Sequence, residues 1–245
     1  MEAPSARWMR RALDLAERGR WTVSPNPLVG CVLVRDGEVV GEGWHERAGQ
    51  AHAEVRALDQ AGDRARGADV YVTLEPCAHQ GRTGPCSAAL LRAGVARVFV
   101  ALADPNPLAA GGGEALRAAG IAVEVGLGQD EARRQNEVFL HALATGRPLV
   151  VVKAAVSLDG RIAAADGTSR WLTGEAARQR VHRLRAEVDA VVVGSGTVLA
   201  DDPALTCRLE GAPQPLRVVL DGRGRTPPDA SLLDAAAPTL VLTAN

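Results

Sequence analysis

The chain has 245 residues, of which 47% are apolar, 23% charged and 3% aromatic. Its 28 basic residues against 29 acidic ones leave a formal charge of −1, which argues against electrostatic wrapping of nucleic acid. Four Trp, two Phe and one Tyr are too few for stacking platforms along a single strand. Of the basic residues 27 are Arg and one is Lys, Lys153, so this composition uses Arg wherever a generic positive charge will do. No apolar run reaches the roughly 18 residues of a membrane-spanning helix. The N-terminal stretch has no apolar signal-peptide core. Four cysteines, Cys31, Cys77, Cys86 and Cys207, are no disulfide framework. A cytoplasmic chain with reduced thiols is expected, without nucleic acid or membrane partners.

Ser5 is placed to cap a first helix, whose residues Trp8, Met9, Ala12, Leu13 and Ala16 recur at helical spacing until Gly19. Leu28–Val34 and Glu38–Trp44 flank Asp36-Gly37, which predicts a hairpin. A helix over Ala51–Ala61, a buried strand Asp69–Leu74 and a helix Cys86–Ala93 follow. Next come a strand Val95–Ala101, a helix Gly113–Ala119, a strand Ile121–Val125 and a helix Asp130–Ala144. This order predicts an α/β sheet covered on both faces, largely parallel after the hairpin. Gly146-Arg147-Pro148 marks a boundary, giving domains 1–146 and 147–245. In the second domain a strand Leu149–Ala155, a helix Gly174–Ala186 and strands Ala190–Gly194, Leu216–Leu220 and Thr239–Thr243 are predicted. That series is expected to be cut short, because no helix follows the last strand.

Three pieces carry chemistry. They are His52-Ala53-Glu54 at a helix start, Glu75-Pro76-Cys77 just past a strand, and Pro85-Cys86 at the next helix start. One imidazole and two thiolates are the ligand set of a catalytic zinc ion, with the fourth position left to water. Helix N-termini favour the thiolate form. Zinc brings the pKa of bound water to about 7. Glu54, two residues from His52, can take a proton from that water and hand it to a leaving amine. The pattern H-x-E…P-C…C is the signature of zinc deaminases acting on pyrimidine or purine amino groups. Two blander readings stay open. The cysteines can be small buried hydrophobes. Alternatively the zinc is structural, with His79 as fourth ligand, and the chain is a binding module with no need of Glu54.

The second domain speaks more quietly. Lys153 follows a run of valines and either snorkels from a strand end or serves a phosphate or ribose. Gly194-Ser195-Gly196-Thr197 can turn the backbone toward a phosphate, or be only a tight turn. His182 and Arg185 lie on a charged helix face of the kind that is usually just solvated.

Several segments together carry a resemblance: Pro25-Asn26-Pro27-Leu28-Val29-Gly30, Gly43-Trp44-His45, Ala51-His52-Ala53-Glu54, the stretch Thr73 to Cys86, and Asp104-Pro105-Asn106-Pro107. It continues through Lys153 to Gly160, Ser169-Arg170-Trp171-Leu172-Thr173 and Thr197 to Pro203. In these the chain resembles the bifunctional riboflavin-biosynthesis deaminase/reductase family. Eight residues separate Cys77 from Cys86, whereas cytidine, deoxycytidylate, guanine and tRNA deaminases usually place their two cysteines two residues apart.

The resemblance implies a three-layer cytidine-deaminase-like domain followed by a dihydrofolate-reductase-like α/β domain that is incomplete at Asn245. It implies zinc on His52, Cys77 and Cys86, with Glu54 catalytic. It implies substrate contacts from Asn26, His45, His79 and Arg82. Asn26 has a turn residue as its plainer reading. In the second domain it implies NADPH contacts from Ala155, Trp171, Thr197 and Asp201. Contacts to the phosphorylated sugar come from Ser169, Arg185, Leu205 and Arg208, with Lys153 as a further candidate. The implied reactions are deamination of 2,5-diamino-6-ribosylamino-4(3H)-pyrimidinone 5′-phosphate and reduction of its ribosyl group to ribityl. Self-association to a homo-oligomer is expected. The alternative is a zinc deaminase of another nucleotide or base with a non-functional second domain.

Overall fold

The computed structural model describes residues 4–79, 84–169 and 171–244. They divide into two compact units, Met1–Val150 and Val151–Asn245. In the first unit, helix α1 (Pro4–Ala16) leads to strands β1 (Gly30–Arg35) and β2 (Glu38–Trp44), helix α2 (Ala53–Ala61) and strand β3 (Asp69–Leu74). Helix α3 (Cys86–Ala93), strand β4 (Arg97–Leu102), helix α4 (Gly112–Ala118), strand β5 (Ala122–Val125) and helices α5 (Gln129–Gln135) and α6 (Glu137–Thr145) complete it. The five strands lie in the order β2-β1-β3-β4-β5. β1 is antiparallel to β2 and β3, while β3, β4 and β5 run parallel. The turn joining β1 to β2 holds Asp36 at φ 53° and Gly37 at φ 79°, which an Asp-Gly pair tolerates.

Period-two alternation along the strands divides the apolar side chains between the two faces of the sheet. Cys31, Leu33, Val70, Val72, Val98 and Val100 pack under Ala53, Ala57 and Ala61 of α2, Leu90 of α3 and Leu116 of α4. Val32, Val34, Tyr71, Phe99 and Ala101 pack against Met9, Ala12 and Leu13 of α1 and Ala132 of α5. Both faces are covered, as the alternation of strands and helices predicts. α2 lies very close to β2. A Cβ built on Gly43 would sit 2.3 Å from the Ala53 carbonyl oxygen, and one on Gly41 2.1 Å from that of Ala57. Only glycine allows this approach.

The second unit holds helix α7 (Glu175–Glu187), strand β6 (Ala190–Gly194), helix α8 (Ser195–Asp201), strand β7 (Leu216–Leu220) and strand β8 (Thr239–Leu242). Its parallel sheet has the order β6-β7-β8. Val198, Val219, Ala230 and Leu232 form a small core with Val193 and Val241. Arg217 of β7 is fully buried. Its guanidinium donates to the carbonyls of Ala204, Asp234 and Ala237 and to the Asp234 carboxylate, the last at 2.8 Å.

Three expectations need correction. α1 begins at Pro4, so Ser5 lies inside its first turn rather than capping it. Proline suits that position because its missing N–H would have no helical partner there. The helix expected over 130–144 is divided at Asn136, whose backbone (φ −102°, ψ 18°) departs from helical geometry while its side chain bonds the Leu28 backbone. The segment 149–155 is irregular and joins neither sheet. Val150, Val151 and Val152 are exposed there, because an apolar run without a hydrogen-bonding neighbour cannot be a strand.

Gly43→Ala forces α2 off β2. We expect it to lower the stability of the first unit by about 2–3 kcal/mol in urea unfolding.

Candidate metal centre

Three elements converge at one end of the first sheet. His52 is the N-cap of α2, with extended backbone (φ −72°, ψ 163°). Cys77 follows the end of β3 by two intervening residues, and Cys86 opens α3. His52 Nδ1 lies 3.2 Å from Cys86 Sγ and 3.6 Å from Cys77 Sγ. The three ligand atoms all lie within 4.8 Å of one another. Tetrahedral zinc, with bonds of about 2.0–2.1 Å to nitrogen and about 2.3 Å to sulfur, needs N···S separations of about 3.5 Å. The donor set and its spacing therefore fit zinc. Among the described residues this is the one group of His, Cys, Asp or Glu that could hold a metal. His79 is exposed and lies outside it, so the closed site with a fourth protein ligand is not formed by that residue.

The site is built to hold thiolate. A hydrogen bond from the Cys86 thiol, aided by His52 and the Cys86 backbone N–H, draws the Cys77 thiol down to about 4. Cys86 itself is pushed up, because its proton lies toward Cys77 and burial disfavours a second charge. The hydrogen bond with Cys77 raises the His52 pKa against the effect of burial. Glu54, in the first turn of α2, is 3% exposed. Burial pushes its carboxyl up to about 7.

A second layer orients these groups. Ser87 Oγ and the Ser87 N–H donate to the Cys77 carbonyl at 3.1 and 3.2 Å. Glu75 accepts the Gly113 N–H at 2.9 Å and the Asp104 N–H at 3.2 Å. One carboxylate thus ties the Pro76-Cys77 turn to the start of α4 and to the loop after β4. Sequence reasoning quotes Glu75 but gives it no role, because both partners lie far along the chain.

Asn26 and His45, expected at the substrate, are brought together: Asn26 Nδ2 lies 3.0 Å from His45 Nε2. His45 Nδ1 faces the Ala51 carbonyl at 3.3 Å, and its ring meets that of His52 edge-on at 5.5 Å. Burial lowers the His45 pKa, which favours the neutral imidazole; in that form the contact of Nδ1 with the Ala51 carbonyl makes Nδ1 the donor and leaves Nε2 to accept. Arg82 lies outside the described residues.

The second unit gathers the other candidates into two groups. Ser169, Thr197 and Asp201 line an open pocket of about 540 Å³ with Gly167, Thr168 and Gly196. Ser169 Oγ donates to Asp201 Oδ1 at 3.5 Å. Neither Ala155 nor Trp171 lines that pocket, and the exposed Trp171 ring carries the Arg178 guanidinium at 4.7 Å. Arg185, Leu205 and Arg208 meet elsewhere. Arg185 donates to the Thr206 carbonyl at 2.9 Å, and the Arg208 N–H donates to His182 Nδ1 at 3.2 Å. Leu205 is buried at φ 55°. Burial and the charge of Arg208 lower the Arg185 pKa, so this helix face is not simply solvated. Lys153 is exposed on the irregular segment rather than emerging from a strand.

Residues 3–102 match the model of the cytidine and deoxycytidylate deaminase zinc-binding region, and residues 148–245 that of the RibD C-terminal domain. The riboflavin biosynthesis protein RibD of Bacillus amyloliquefaciens is 50% identical over 240 residues, covering 97% of this chain. That of Escherichia coli is 52% identical over 235 residues, covering 90%. The chain spans 65% and 64% of the length of these two curated relatives. It spans 67% of the Aquifex aeolicus protein, at 48% identity. Among solved structures, Acinetobacter baumannii RibD superposes with a TM-score of 0.88 at 51% identity, over 98% of this chain and 69% of that one. A diaminohydroxyphosphoribosylaminopyrimidine deaminase/5-amino-6-(5-phosphoribosylamino)uracil reductase from Thermotoga maritima gives 0.93 at 39% identity, over 99% and 70%. The first unit is thus a cytidine-deaminase-like domain and the second an α/β domain of the RibD C-terminal, dihydrofolate-reductase-like kind.

The purified chain is expected to carry about one zinc ion, and Cys77→Ser to lose it. Glu75→Ala leaves the ligands in place but frees their turn. It should weaken zinc roughly 10–100-fold in chelator competition.

Proposed function

The chain belongs to the RibD family of riboflavin biosynthesis, and from that premise we propose that it is a zinc-dependent pyrimidine deaminase joined to an NADPH-dependent reductase. Deamination is assigned to residues 1–146 and reduction to 147–245. The first substrate is 2,5-diamino-6-ribosylamino-4(3H)-pyrimidinone 5′-phosphate. The second is the deaminated product, 5-amino-6-(5-phosphoribosylamino)uracil, whose ribosyl group becomes ribityl. The observation that carries this reading is the buried Glu54 carboxyl beside the His52, Cys77 and Cys86 cluster.

His52, Cys77 and Cys86 hold the zinc, which when bound supplies a Lewis acid and a water of lowered pKa. Water would add its oxygen to the ring carbon; Glu54 would take up the proton that water gives up and deliver it to the amine nitrogen, whose bond to carbon breaks to release ammonia. Its carboxylate is then restored for the next turnover. Asn26 gives its N–H to His45, which leaves its amide oxygen to accept from the pyrimidine. The neutral His45 contacts the ring, and His79 and Arg82 the remainder of the substrate, with Arg82 suited to the phosphate.

In the second unit the hydroxyls of Ser169 and Thr197 and the carboxylate of Asp201 suit a sugar-bearing ligand in the pocket they line. NADPH, when bound, supplies the hydride. Thr197 and Asp201 would hold it from the pocket they line, and Ala155 and Trp171, which lie outside that pocket, would contact a part of it beyond. Ser169, from that pocket, and Arg185, Leu205 and Arg208, grouped elsewhere in the unit, would contact the sugar phosphate, with Lys153 as a further candidate.

No helix among the described residues is long and apolar enough to cross a membrane. We place the protein in the cytoplasm, acting on small molecules. Self-association to a homo-oligomer is part of this proposal.

Ammonia release from the diaminopyrimidine phosphate, measured with and without NADPH, tests both halves. Glu54→Gln should keep the zinc and lose about 10²–10⁴-fold in ammonia release; near-normal activity would remove Glu54 from the mechanism. Lys153→Arg should slow NADPH oxidation and leave ammonia release unchanged, and a wild-type reduction rate would exclude that lysine from the second site.

A further inference from the structure

We infer that Asn136 is a positioning residue for the deamination site: its carboxamide clamps the Leu28 backbone and thereby fixes Asn26 and His45. The inference rests on the reading of Asn26 and His45 as substrate contacts. Asn136 is 2% exposed and stands 108 residues from Leu28 in sequence. Its Oδ1 accepts the Leu28 N–H at 2.8 Å, and its Nδ2 donates to the Leu28 carbonyl at 3.0 Å. These are the two bonds that a neighbouring strand would make.

The segment needs such a clamp. Pro25 and Pro27 have no N–H, so residues 25–28 offer two backbone donors. The Asn26 N–H is used locally, on the Val23 carbonyl at 2.8 Å. The Leu28 N–H goes to Asn136. From the clamped peptide two routes lead to one residue, His45: one to its imidazole and one to its backbone N–H. Two residues upstream, Asn26 Nδ2 reaches His45 Nε2. One residue downstream, the Val29 carbonyl accepts the His45 N–H at 2.9 Å. The break between α5 and α6 has the same origin. Asn136 keeps the backbone ladder through both bonds, from its N–H to Ala132 and from Leu140 to its carbonyl, while its side chain points to Leu28. A helix interior is a poor place for asparagine unless the side chain has work elsewhere.

The test is the deamination kinetics of Asn136→Ala, Asn26→Ala and the double variant, with zinc content measured on each. For Asn136→Ala we expect KM to rise about tenfold with kcat within roughly threefold and zinc unchanged, since the lost term is substrate positioning. If the clamp acts through Asn26, the double variant is no more than about twofold worse than the worse single variant. Multiplying effects, or a fall in kcat with zinc loss, would make Asn136 a merely structural residue and overturn the inference. A normal KM for Asn136→Ala beside a raised KM for Asn26→Ala overturns it alone. A normal KM for Asn26→Ala overturns the reading of Asn26 itself, and the inference with it. Should the alanine chain not fold, amide exchange in the wild type decides: Leu28 N–H should be protected as well as the buried Gly30 N–H, which donates to Thr73 Oγ1 at 3.0 Å. Exchange at the rate of an unstructured peptide overturns the clamp.

Discussion

The site depends first on how near α2 lies to β2. The helix presents Ala53, Ala57 and Ala61, four residues apart, and the strand answers with Gly41 and Gly43. Small residues on both sides let two backbones approach until helix carbonyls occupy the space a Cβ would need. That contact sets where α2 starts, and the start of α2 is His52. A helix held farther out would carry its N-cap and the first-turn Glu54 away from the two sulfurs. The metal ligands come from three elements, so their spacing is a property of packing and not of any one segment.

Around that contact, two polar side chains do for loops what hydrogen-bond ladders do for strands. Glu75 collects two backbone N–H groups beside the Cys77 turn, and Asn136 collects an N–H and a carbonyl beside Asn26. Each partner is a backbone group, so each clamp fixes chain position whatever side chain stands there. Buried backbone groups left without such partners are costly, which is why the loops close in one way. The Cys77 turn and the segment of Asn26 thus have separate supports in the same unit.

Most elements of the first unit were legible because their apolar residues repeat with a period of two or near four. Cys86–Ala93 and Asp69–Leu74 have in the structure the bounds that pattern and flanking glycine suggest. The clustering of His52, Cys77 and Cys86 was legible from residue type and spacing. Leu149–Ala155 misled because an apolar run states a preference for burial and nothing about a neighbouring strand. Asn136 and Glu75 were silent because their meaning lies in bonds to residues 108 and about 30–40 positions away. Ser5 looked like a cap because the pattern locates a helix better than its first residue.

Arg217 shows what an arginine-rich composition permits. A guanidinium holds its proton under any ordinary condition, so its burial cannot be relieved by neutralisation as a lysine's can. In the second unit it joins β7 to Ala204 on one side and to Asp234 and Ala237 on the other, just ahead of β8. Detaching residues 234–237 would remove three of the four acceptors of this buried guanidinium. The arginine thus couples the middle strand to the turn at 234–237, and loosening that turn leaves buried N–H groups without acceptors.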